Sequence, residues 1–136
     1  MNKYTELSDF EINKKVADLI GATPFPFGST DYRRSAVSGC ESAIIIRSPR
    51  KVGSFDACNN PTDAMPIIIE NKISLLAGDG NFWCARYGEW NILPCPSGIE
   101  FIEKAQVIND SPYRAAMELF LMMKDTENEK IRPYLL

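Results

Sequence analysis

The amino-acid sequence predicts an α+β fold, a mostly antiparallel sheet of three to five strands with three helices packed on it, sandwich-like in outline. Three observations predict it. Three segments open with a helix-capping pattern and continue with apolar residues at helical spacing. Ile44-Ile45-Ile46 is a β-branched run of strand length, closed by Pro49. Phe82 to Leu93 alternates about Gly88-Glu89 in the manner of a hairpin. With 136 residues, 45% of them hydrophobic, the chain has apolar side chains for one core and no room for a second. Residues 1–136 are therefore read as one domain, with a C-terminal tail that frays from about residue 125.

The first helix, Asp9 to Ile20, starts at Ser8-Asp9-Phe10-Glu11, where Ser8 and Glu11 can satisfy each other's free backbone N–H groups. Ile12, Val16, Leu19 and Ile20 form its apolar face, and Gly21 ends it. Residues 22–39 show no steady period and read as a surface excursion anchored by Phe25 and Phe27. A buried strand follows over Ser42 to Ser48, and Arg47 to Lys51 is a basic turn, more ordinarily a solvated loop than a phosphate site. The second helix is capped by Asn60 with Pro61 at its first position. Pro66 should kink it or loosen its first turn, and Asn71 or Lys72 should close it.

A strand at Ile73 to Ala77 and the Gly78-Asp79-Gly80 turn lead into the hairpin, which makes a three-stranded meander. If Tyr87 faces Trp90 across a II' turn at Gly88-Glu89, then Trp83, Ala85, Tyr87, Trp90 and Ile92 share the core face, and Arg86 and Asn91 share the other. Pro94 to Asp110 fits neither a period of two nor one of 3.6 and reads as an irregular or short-stranded insertion. Ser111-Pro112 starts the third helix. Because Met117, Leu121 and Met122 are apolar as well as Ala116, Leu119, Phe120 and Met123, this helix must be covered on more than one side.

Composition removes several function classes. There is no histidine, so Ser-His-Asp and Cys-His catalysis cannot occur within this chain, and the commonest metal ligand is missing. Cys40, Cys58, Cys84 and Cys95 are scattered without a C-x-x-C pair, and read as small buried hydrophobes with free thiols. Neither a metal nor a cofactor is expected. The N-terminus lacks a signal-peptide pattern and the longest apolar run, Leu119 to Met123, cannot cross a bilayer, so a cytoplasmic protein with no membrane association is expected. A net charge of -3 names no partner.

Three blocks, LSDFEINKKVA at 7–17, FDACNNPTDAMPIIIENKISL at 55–75 and SPYRAAMELFLMMKD at 111–125, resemble the NinX-like family of small proteins from lambdoid phages and prophages. The resemblance covers all three predicted helices. It departs from the family at Met65, where Trp is frequent, and at Ala57, where Pro is common. A weaker similarity extends to phage domains of the alpha-beta-alpha sandwich type. What the resemblance implies is a phage accessory protein acting in the bacterial host cytoplasm, with no catalytic residues to carry over.

Three functions compete on the residues. A non-catalytic module binding a phage or host protein is favoured by the apolar third helix and the apolar terminus, with Leu121, Met122, Tyr134 and Leu135 as candidate interface, which would also suit a homodimer. Nucleic-acid binding would use Arg33, Arg34, Arg50 and Lys51, with Tyr32 and Phe55 as stacking groups. A thiol enzyme would use Cys58 near the second helix's N-terminus, but it lacks an imidazole partner, and the protein is expected not to be an enzyme.

Overall fold

A computed structural model of the chain describes residues 2–26, 28–94 and 98–135, with side chains to residue 129. Phe27 and Cys95 lie outside the described residues, as do the side chains of Tyr134 and Leu135. The elements run α1 (Asp9–Leu19), β1 (Thr23–Pro24), β2 (Arg33–Arg34), β3 (Ile44–Arg47), β4 (Val52–Phe55), α2 (Pro61–Glu70), β5 (Ser74–Ala77), β6 (Trp83–Leu93), β7 (Gly98–Asn109) and α3 (Pro112–Leu135). The class is α+β with antiparallel pairing throughout. The strands are more numerous than the sequence suggests and divide into two sheets. In one, β3 pairs with β1 and β2 along one edge and with β4 along the other; in the other the order is β5-β6-β7.

The three helices begin where their caps place them. Ser8 Oγ accepts the Glu11 N–H at 3.2 Å, Asn60 Oδ1 accepts the Thr62 N–H at 3.0 Å, and Ser111 Oγ accepts the Arg114 N–H at 3.3 Å. Gly21 takes φ +83 just past α1, a conformation that disfavours any residue with a Cβ. α2 runs through Pro66 and closes at Asn71, whose side chain also donates to the Ile67 carbonyl at 2.8 Å.

α3 resolves the question posed by its all-round apolar surface. It is central, packing against β6 and β7 on one side and against α1 and α2 on the other, while α1 also contacts β3. Met117, Leu119, Phe120 and Leu121 are buried with Ile12, Val16, Ile44, Ile46, Ile67, Ile68 and Val107 in one core. The helices thus lie between the two sheets rather than on a single one. α3 also continues through the charged stretch after Asp125 as far as Leu135.

Three sequence expectations change. The excursion over 22–39 contains β1 and β2, and its anchor is the buried Tyr32, whose hydroxyl donates to Asp18 at 2.8 Å, rather than the exposed Phe25. The basic turn stands where the sequence places it, as the turn of a β3-β4 hairpin closed by the Ser48 N–H donating to the Lys51 carbonyl at 2.8 Å. Cys40 is exposed and Cys84 only half-buried.

The largest change concerns residues 82–110. There is no turn at Gly88-Glu89; β6 passes straight through it and pairs along its whole length with β7, which is built from the stretch expected to be irregular. Gly88 meets a different need. A Cβ there would lie 2.1 Å from the Ile102 carbonyl oxygen and 2.9 Å from the Phe101 ring, because the strands close tightly beside a register shift between Tyr87 and Gly88. That shift, which leaves Lys104 unmatched in β7, also breaks the period of two and hides the strand from sequence inspection.

Candidate functional site

The segment after β4 turns its polar side chains inward. Asp56 accepts from Asn13 Nδ2 at 2.8 Å, from Ser42 Oγ at 2.6 Å and from Asn59 Nδ2 at 3.1 Å. Asn13, fully buried on α1, uses its Oδ1 to accept the Cys58 N–H at 3.2 Å and its Nδ2 to reach the Ser42 carbonyl at 2.9 Å. Asp63 accepts the Asp56 N–H at 2.9 Å and binds Lys51 Nζ at 2.8 Å. Cys58 is buried beneath this network. Burial, and after it the Asp9 carboxylate, push its thiol well above the ordinary range, so the thiolate needed for nucleophilic attack is disfavoured.

Arg114, on the first turn of α3, completes the network from the other side. Its Nε donates to Glu118 at 2.6 Å and Nη1 to Asp9 at 2.7 Å, while Nη2 reaches the carbonyls of Tyr4 at 3.0 Å and Leu7 at 2.7 Å. Burial works against this charge, but the two carboxylates outweigh it and raise the guanidinium's pKa above its usual value. Asn2 caps the other Glu118 oxygen at 2.6 Å. The five-donor guanidinium thus ties the N-terminal segment, α1 and α3 together. The sequence signal that could have exposed this pair is a charged Arg and Glu four residues apart inside an otherwise apolar helix.

The four basic residues singled out for nucleic acid do not form one patch. Arg33 and Arg34 pair opposite Ile45 and Ile44, whereas the Arg50-Lys51 turn lies beyond the other end of β3, with β1 between them along the same edge. Arg34 stacks over Phe10 with its guanidinium carbon 3.9 Å from the ring centre, and Lys51 is committed to Asp63. Tyr32 and Phe55 are buried and cannot stack on bases. Arg50 and Lys51 instead line the rim of a cleft of about 660 Å³, floored by Ile46, Phe55, Ile67 and Phe120 and rimmed also by Asp63, Glu70 and Lys124. Both signs of charge meet at that rim, so it selects neither an anion nor a cation.

The candidate interface fares unevenly: Leu121 is in the core, Met122 is half-buried against it, and the Tyr134 and Leu135 side chains lie outside the described residues. A different apolar surface is open. Cross-strand pairing puts Cys84 with Ile108, Arg86 with Gln106, Gly88 with Glu103, Trp90 with Phe101 and Ile92 with Ile99 on one face of the β6-β7 ribbon. Leu76 of β5, opposite Cys84, joins that face. The opposite face carries Ala85, Tyr87, Ala105 and Val107 into the core. On the open face Trp90 is 58%, Ile92 84%, Ile99 68% and Ile108 59% exposed. Trp90 and Phe101 stack with ring centres 4.4 Å apart, and Arg86 lies over Phe101 while binding Glu103 at 2.5 Å.

Trp83, Ala85 and Tyr87 therefore face as the sequence predicts, but Trp90 and Ile92 are on the other side. In a hairpin turning at 88–89 they would share the face of Tyr87; in a continuous strand Trp90 is three residues on and must point away. Arg86 and Asn91 likewise separate.

A family model described as bacteriophage P22, NinX matches residues 3–124. The chain belongs to this family. No curated protein and no solved structure matches it. The three sequence blocks that resemble NinX proteins meet at the polar network: Asn13 comes from the first, Asp56, Cys58 and Asp63 from the second, Arg114 and Glu118 from the third. The open sheet face lies between the second and third blocks. Among the described residues, no helix is long and apolar enough to cross a membrane.

Proposed function

We propose that this NinX-family protein is a non-catalytic phage accessory that works in the host cytoplasm by binding another protein through the open face of the β5-β6-β7 sheet. One observation carries the reading: Trp90, Ile92, Ile99 and Ile108 stand in water along one face of a ribbon whose inner half, at Ala85 and Val107, is core on its other side. Monomers seldom keep an apolar patch of this extent uncovered, and aromatic anchors flanked by aliphatic residues are the usual centre of a protein interface. The polar residues of the family signature support the same reading, since Asp56, Asn13, Asp63 and Arg114 are already bonded to one another or to backbone.

The test is affinity capture from phage-infected cells with the wild-type chain and with an Ile92→Ser, Ile99→Ser variant. A partner that the wild type retains and the variant loses supports the reading. A partner retained equally by both moves binding elsewhere, and the failure of both to retain any reproducible partner removes the proposal.

A further inference from the structure

The open face has a shape and charge that suit its own copy. We infer that two chains associate by stacking the β6-β7 faces that bear Trp90 and Ile92 on one another about a two-fold axis, an inference that rests on reading this face as a binding surface. Four features of this face support it.

First, the face is electrically neutral. Its two charged side chains, Arg86 and Glu103, bind each other, and Cys84 bonds Gln106 at 3.4 Å; Glu89, Lys104 and Glu100 belong to the opposite face, where Glu89 holds Lys104 at 2.9 Å and Asn91 holds Glu100 at 3.2 Å. A second copy meets no like charge. Second, the tip has two adjacent rungs of different shape, the aromatic pair Trp90-Phe101 and the aliphatic pair Ile92-Ile99. A two-fold axis between them lays the aromatic rung of each copy on the aliphatic rung of the other, the self-complementarity an isologous interface requires.

Third, the area suits a reversible dimer. The exposed fractions of Trp90, Ile92 and Ile99, which overlap about that axis, leave on the order of 400 Å² of apolar side chain per copy, about half the ~800 Å² per partner of a standard interface and in the range of weak association. Fourth, the outer edge of β7 carries Glu100, Glu103 and the unmatched Lys104 beside the register shift, charges and irregularity that keep that strand from extending its sheet and favour contact through the face. A two-stranded ribbon standing alone is marginal in water, so covering it also stabilises the part of β6-β7 that extends beyond β5.

Sedimentation equilibrium of the full chain from low to high micromolar concentration tests this. The expected result is a rise from the monomer mass to twice that value, with Ile92→Ser combined with Ile99→Ser holding the chain monomeric. Leu93→Ser combined with Ile102→Ser, on the opposite face, should leave the dimer intact. Circular dichroism of each variant confirms the fold. A wild-type chain that stays monomeric throughout, or a dimer indifferent to the Ile92 and Ile99 changes, overturns the inference. A monomeric wild type that still loses a captured phage or host protein on those changes overturns self-association alone and leaves the protein-binding function standing.

Discussion

The polar network around Asn13, Asp56 and Arg114 and the outer half of the β6-β7 ribbon are opposite solutions to the same constraint. In the network, ionised and amide groups are wholly or partly withdrawn from water but each finds partners inside the chain, so the cost of burial is offset and any missing partner costs much. In the ribbon, large apolar side chains remain in water although the backbone is paired, so each contributes almost nothing to the monomer and can contribute to a complex. The first region holds the fold together. The second is free to meet something else. The three blocks that bear the resemblance carry the network that holds the fold, and the open face lies in the stretch between them, within the residues 3–124 that the family model matches.

The contrast breaks most visibly at Arg114. Arg114→Met leaves the buried Glu118 carboxylate, and the half-buried Asp9 beside it, without their cation and should cost about 3–5 kcal/mol in urea denaturation. Asp56→Ala strips acceptors from Asn13, Ser42 and Asn59 and should cost about 2–3 kcal/mol by the same measurement. Alkali attacks the core next. Burial first, and then Asp125 beside Tyr4 and Asp18 beside Tyr32, hold both phenols protonated in the fold beyond the pH near 10.0 at which the unfolded chain releases those protons. Their contribution to stability is complete below that pH and declines as pH rises past it; urea midpoints measured across alkaline pH should show the decline, and Tyr32→Phe should flatten it.

The ribbon responds differently. Gly88→Ala forces a Cβ against the Ile102 carbonyl and should abolish amide-exchange protection over residues 89–93 and 99–103 while core amides in α3 keep theirs, with global stability changed by about 1 kcal/mol or less. Ile92→Ser, at a side chain 84% exposed, should change monomer stability by no more than ~0.5 kcal/mol and show its effect in association alone. Loss of the whole fold on either change would mean that the ribbon is part of the core and erase the distinction.

How much of this was legible in the sequence follows from the range of the forces involved. Caps act within one helical turn, so Ser8, Asn60 and Ser111 located all three helices, and β-branching marked β3. The absence of histidine excluded whole catalytic classes without any coordinates. Strands whose register depends on a distant partner were not legible: β1 and β2 are two residues long and exist because β3 offers an edge, and β7 hides its period behind the unmatched Lys104. The basic residues were visible as letters, but only pairing along β3 shows that they stand at opposite ends.

The sequence by itself determined three capped helices, an antiparallel α+β class, one core and the family, because those follow from local chemistry and composition. Tertiary structure decided the rest. It sent β6 straight through Gly88 instead of turning, since a glycine that can open a hairpin can equally let a neighbouring strand approach, and only the partner chooses between them. That single choice reversed the side on which Trp90 and Ile92 stand, and so moved the apolar residues counted toward the core onto the surface offered to a partner.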